Sequence, residues 1–147
     1  MTLAKKRVDS DEKYVLDLIA EILDEGYEWQ RTFDTLLGDR GKAGQRRKLP
    51  VDAYYPKANL IAEYREKQHS QPVNIMDRRM TISGVHRGEQ RKLYDLRKEK
   101  WTADNKKQFL LISYTDLAHK RNGRLERSIE EDRIKIRNLI QKAHKGI

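Results

Sequence analysis

The chain is 147 residues long, with 37% hydrophobic and 37% charged residues, 32 Lys and Arg against 23 Asp and Glu, and a formal net charge of +9. That length supports one continuous core and not two, so residues 1–147 read as a single domain, and the basic balance, with a pI near 9.7, suits a polyanionic partner such as nucleic acid. No cysteine is present, which excludes disulfides and thiolate zinc sites and leaves oxygen or imidazole for any metal.

The N-terminus, MTLAKKRVDSDEK, is basic but has no apolar stretch of signal-peptide length behind it. No run approaches the roughly 20 apolar residues of a membrane span. The expectation is a soluble, cytoplasmic chain with no membrane partner and a flexible segment over residues 1–8. Asp9-Ser10-Asp11-Glu12 supplies cap chemistry and first-turn acids, and Val15, Ile19, Ile22 and Leu23 follow at helical spacing up to Gly26, which predicts an amphipathic helix. Tyr27, Trp29 and Phe33 mark a first strand, and the glycine- and charge-rich stretch from Gly38 to Gly44 reads as a loop.

Two strands follow, over about 49–55 and 60–65, divided by Pro56-Lys57-Ala58-Asn59. Proline cannot continue a ladder and asparagine favours a turn, so this is a hairpin. Residues 70–85, aperiodic and holding Pro72, read as a loop long enough to act as a flap, or equally as a disordered segment. Arg87 to Trp101 predicts a basic helix with Leu93, Leu96 and Trp101 on its inner face. FLLISY at 109–114 is a continuous apolar run of the kind a central strand covered on both faces carries. After Asn122-Gly123, Leu125, Ile129, Ile136, Leu139, Ile140 and Ala143 mark a closing helix. The predicted order is α-β-β-β-α-β-α, an α/β fold with a mixed central sheet flanked by helices.

The hairpin holds two acids inside runs that otherwise read as buried strand. With a turn at Lys57 and Ala58, residues facing each other have numbers that sum to 115, which pairs Tyr55 with Leu60, Tyr54 with Ile61 and Ala53 with Ala62 and sets Asp52 against Glu63. Like charges opposed in this way are destabilising. A divalent cation would reward them, because Mg²⁺ is commonly held by one or two carboxylates with waters and a phosphate completing its shell. Alternation places Arg65 on the same face, where a cation can bind phosphate or stabilise its developing charge. The plainer alternative is that both acids face solvent and pair with Arg65 and Lys67.

The segment VDAYYPKANLIAEYREKQH resembles the core hairpin of the PD-(D/E)XK nuclease superfamily, in particular the branch similar to very-short-patch repair endonucleases, and the order of elements is similar to that restriction-endonuclease-like core. The resemblance implies metal-dependent hydrolysis of a phosphodiester, most readily in DNA, with Mg²⁺ or Mn²⁺ held by Asp52, Glu63 and the main-chain carbonyl of Tyr64. Glu12 resembles the additional acid of this branch, and reads equally as a first-turn glutamate at a helix N-terminus. Where the superfamily commonly has lysine two places after the second acid, this chain has Arg65, and arginine does not give up its proton to act as a base. Lys67 or Gln68 would then substitute, with His69 as proton shuttle or phosphate contact.

On the basic helix, Arg87, Gln90, Arg91 and Tyr94 share a face suited to a phosphate backbone, while Glu89, Asp95 and Glu99 interleave and would suit a solvated face equally. Two functions therefore stand: a metal-dependent nuclease, or an inactive endonuclease-like fold, disabled at Arg65, that binds nucleic acid or another protein. A two-fold homodimer is compatible with an enzyme that cuts both strands.

Overall fold

The computed structural model describes residues 10–67 and 87–145. The expected flexible segment 1–8, the expected flap over 70–85, and the candidates Gln68 and His69 lie outside the described residues. The chain is a mixed α/β fold. Helix α1 (Asp11–Leu23) is followed by strands β1 (Glu28–Arg31), β2 (Leu37–Arg40), β3 (Arg46–Lys48), β4 (Val51–Tyr55) and β5 (Leu60–Arg65). Helix α2 (Arg87–Asp104), strand β6 (Gln108–Ser113), a 3₁₀ turn (Tyr114–Asp116) and helix α3 (Ile129–Lys145) are the later elements of the described residues.

The sheet runs β1-β4-β5-β6, antiparallel at its first two junctions and parallel between β5 and β6. On one face α1 contributes Val15, Leu16, Leu18 and Ile19, and α3 contributes Ile136 and Ile140, against Ala53, Tyr55, Leu60, Ala62, Tyr64, Leu110 and Ile112. On the other face a smaller cluster of Leu36, Leu49, Val51 and Ile61 is closed by Phe33, Tyr54, Tyr94, Trp101 and Phe109. Strand β5 is thus buried on both faces and forms the spine of the molecule.

Local chemistry explains the element ends. Ser10 caps α1, its hydroxyl accepting the Lys13 N–H at 3.0 Å, and Asp24 ends it in the left-handed region at φ 55. The β4–β5 turn closes through Asn59 at φ 53, whose N–H donates to the Pro56 carbonyl at 3.1 Å. The Glu25 carboxylate accepts from the N–H groups of Lys57 and Ala58 at 2.9 and 2.7 Å. The register Ala53↔Ala62, Tyr54↔Ile61 and Tyr55↔Leu60 is the one that the sum of 115 demands.

Four sequence expectations are corrected. The Gly38–Gly44 stretch is not simply a loop: its first three residues belong to β2, which pairs with β3 in a second antiparallel ribbon, so among the described residues five strands precede α2 rather than three. Strands of four and three residues are too short to show a period. Of the expected inner face of α2 only Trp101 packs inward; Leu93 and Leu96 are 44% and 62% exposed, and Tyr94 takes their place beside Trp101. Strand β6 is at the end of the strand order and alternates buried and half-buried positions, with α2 packing near Phe109. The closing helix starts at Ile129, and Leu125 is buried ahead of it in a bridge with His119.

The rotation of α2 has a direct test. Leu96→Gln should change stability by no more than about 0.5 kcal/mol in chemical denaturation, as an exposed substitution does. Trp101→Ala, which removes the ring stacked 4.7 Å from Phe33 and the indole N–H donated to Thr35 Oγ1, should cost about 2–4 kcal/mol.

Candidate functional site

Glu63 and Asp52 meet on the face of the sheet that α2 covers. Beyond Ala53↔Ala62 the two strands exchange side chain for main chain: Glu63 Oε2 accepts the Asp52 N–H at 2.6 Å, and Asp52 Oδ2 accepts the Tyr64 N–H at 2.8 Å. Each carboxyl group is therefore fixed by a main-chain N–H of the partner strand. On the outer side of β4, pairs run Glu28↔Tyr54, Trp29↔Ala53 and Arg31↔Val51. The intervening Gln30 has φ 54, a left-handed conformation that costs a non-glycine residue energy. The ladder is interrupted on both sides of Asp52, and the acids supply the missing main-chain partners.

Two residues of α2 complete the site. Lys98 Nζ donates to Glu63 Oε1 at 2.8 Å, an ion pair with side chains only 16% and 10% exposed. Arg65 is held by Asp95 at 3.0 Å. These four side chains and Asp52 line a cleft of about 80 Å³, floored by Tyr64, Phe109 and Leu111. The Asp52 carboxyl is pushed up to about 8, first by burial and then by the charges of Glu63 and Glu12, against the opposing Tyr64 N–H and Lys98.

Glu12 is close enough to be felt at Asp52, while its Oε2 accepts the Trp29 indole N–H at 3.0 Å. The Tyr64 ring is turned into the main core, and its main chain flanks the carboxylates. Lys67 is directed elsewhere: its Nζ donates to the Arg121 carbonyl at 2.8 Å, with its Cβ against Gly123. On α2, Gln90 and Tyr94 face the β2–β3 ribbon, the Tyr94 hydroxyl accepting the Asp39 N–H at 2.9 Å and Gln90 Nε2 lying 3.5 Å from Asp39 Oδ2. Arg87 opens that helix and Arg91 is half-buried along it.

Lys98 is the residue that the sequence reading missed. The available signal was the pair Tyr94 and Trp101, seven residues apart, which defines an aromatic inner stripe and carries Asp95 and Lys98 toward the sheet. No group of three or more His, Asp or Glu side chains arranged for a metal is present among the described residues. The donor set does suit a hydrated hard cation: two carboxylates converge, and Asp52 Oδ1 has no hydrogen-bond donor among the described residues. An oxygen-only pair of this kind fits Mg²⁺ or Mn²⁺, which keep several waters. The chain matches no protein-family model, no curated protein and no solved structure.

The raised Asp52 carboxyl sets a pH dependence. From about pH 4, where an unfolded aspartate titrates, to about pH 8 the folded chain binds the extra proton, so stability falls as pH rises through that window and levels off above it. Asp52→Asn, whose amide oxygen can still accept the Tyr64 N–H, should flatten that slope and exceed the wild type by on the order of 1–3 kcal/mol at pH 8 in urea unfolding without divalent ions.

Proposed function

We propose that the chain is a metal-dependent nuclease of the PD-(D/E)XK kind, hydrolysing phosphodiester bonds, with DNA as the favoured substrate. The reading is carried by one observation: two opposed carboxylates, each pinned by the other strand's main chain, share a small cleft with a lysine and an arginine. Structural acids on a sheet gain nothing from being brought together under burial.

Asp52 and Glu63 would hold Mg²⁺ or Mn²⁺, which when bound supplies an activated water and offsets charge on the scissile phosphate. Lys98 answers the objection raised by Arg65. It brings a lysine to the second acid from α2 rather than from two residues along β5. Beside Glu63, its ammonium group is placed to stabilise negative charge growing on the phosphoryl oxygens. Arg65, oriented by Asp95, is a second cation for the phosphate and not a base. A non-catalytic nucleic-acid-binding fold is the second reading, favoured because no group of three or more acidic or imidazole side chains among the described residues is arranged to hold a metal.

Cleavage of single- and double-stranded DNA and RNA in Mg²⁺ or Mn²⁺ separates the two. Wild type should cut, EDTA should stop it, and Asp52→Asn, Glu63→Gln and Lys98→Met should each lower the rate by about 10²-fold or more. Lack of wild-type cleavage of every substrate, or full activity in Asp52→Asn, would overturn the nuclease reading.

A further inference from the structure

The β2–β3 ribbon has a stem and a tip of opposite character. Its stem is anchored: Leu36 and Leu49 are buried in the smaller core and joined by a 2.9 Å main-chain bond. Gly38 lies so close under Tyr94 that a Cβ would stand 2.9 Å from the phenol oxygen. Arg97 donates to the Leu37 carbonyl and to Asp39 Oδ1, both at 3.0 Å. Trp101 reaches Thr35 at the ribbon's entry.

The tip is exposed and basic. A loop closed by bonds from Gly41 N–H to the Gln45 carbonyl and from Gly44 N–H to the Gly41 carbonyl, with Gly44 at φ 83, turns the chain. All residues from Lys42 to Lys48 are exposed. Arg40, Lys42, Arg46, Arg47 and Lys48 stand against the single acid Asp39, which Arg97 already neutralises. Lys48 pairs with Asp34, and Arg46 spends its donors on the Gly38 and Leu37 carbonyls, which leave its charge uncompensated. Arg40, Lys42 and Arg47 make no hydrogen bond or ion pair among the described residues.

We propose that the β2–β3 ribbon is a nucleic-acid-binding arm that grips the phosphate backbone of a duplex through Arg40, Lys42 and Arg47. Three features favour a polyanionic strand. A two-stranded ribbon has the dimensions to enter the major groove. Unpaired cations on a rigid support release counterions on meeting phosphates and lose no ion pair in doing so. One helix also ties arm to cleft, since Arg97 holds the ribbon while the adjacent Lys98 holds Glu63. A membrane surface is disfavoured because the tip, Gly41-Lys42-Ala43-Gly44-Gln45, offers no aromatic or large aliphatic side chain to bury in lipid.

The inference rests on nucleic acid being the ligand of the proposed site, and not on cleavage, so it is tested in EDTA. Fluorescence anisotropy with a labelled 30-base-pair duplex over a range of KCl should show steep salt dependence for the wild type. The triple variant Arg40→Gln, Lys42→Gln, Arg47→Gln should show a log–log salt slope shallower by about 2 to 3. Arg40→Lys with Arg47→Lys, which keeps the charge, should retain the wild-type slope and controls for folding. An unchanged slope in the triple variant overturns the proposal. So does a wild type that binds no duplex, whether or not it binds vesicles of phosphatidylserine and phosphatidylcholine. Duplex binding by a wild type that cleaves nothing in Mg²⁺ or Mn²⁺ would count against the nuclease reading alone.

Discussion

Two carboxylates facing each other under a helix repel, and the structure around Asp52 and Glu63 is arranged to contain that repulsion. In a site of low dielectric each uncompensated charge would cost several kcal/mol. Compensation comes from the Asp52 and Tyr64 N–H groups, from Lys98 and from a proton that burial favours on Asp52. The main-chain donors are free for this role because the ladder lapses on either side of Asp52, where Gln30 takes a left-handed conformation. Fold and site share these interruptions: the sheet gives up regular pairing where the acids need donors. A doubly charged cation is the species that would let both acids ionise together.

Helix α2 makes the arrangement rigid. Few of its inward residues are aliphatic; it docks through Tyr94 and Arg97 on β2, through Lys98 on β5 and through Trp101 on Thr35 ahead of β2. Polar docking of this kind is specific in rotation, because turning the helix would orphan a half-buried charge at several points together. It also means that the ribbon, the smaller core and the cleft are not independent. Displacing Tyr94 from Gly38 would be felt at Lys98 through one helical turn.

The sequence made the hairpin legible because local and long-range signals agreed there. Pro56 and Asn59 fixed the turn, the turn fixed the register, and the register brought Asp52 and Glu63 together without further information. Helix α2 was misread because leucine is ordinarily the better guide to a buried face than an arginine or a lysine. Here Leu93 and Leu96 are exposed, and cations with long stems pack inward to reach carboxylates. The lysine of the site is 35 residues from Glu63 in the chain, so nothing in the spacing around the hairpin could reveal it. The ribbon escaped for a different reason: glycine and charge are loop signals, and its pairing depends on Tyr94 and Arg97 from a distant helix. In the described residues no helix is long and apolar enough to cross a membrane, in keeping with the hydropathy of the sequence.

The facing carboxylates, in the function proposed above, form a cation site primed by a proton on Asp52. Calorimetric titration of the metal-free protein with Mn²⁺ at pH 7, repeated in buffers of different ionisation enthalpy, measures binding and proton release together. One Mn²⁺ per chain should bind, with release of close to one proton as Asp52 is forced to ionise, and both signals should be lost in Asp52→Asn. Absence of Mn²⁺ binding at millimolar concentration, or binding of equal strength with no proton release in wild type and Asp52→Asn alike, would contradict the proposed site.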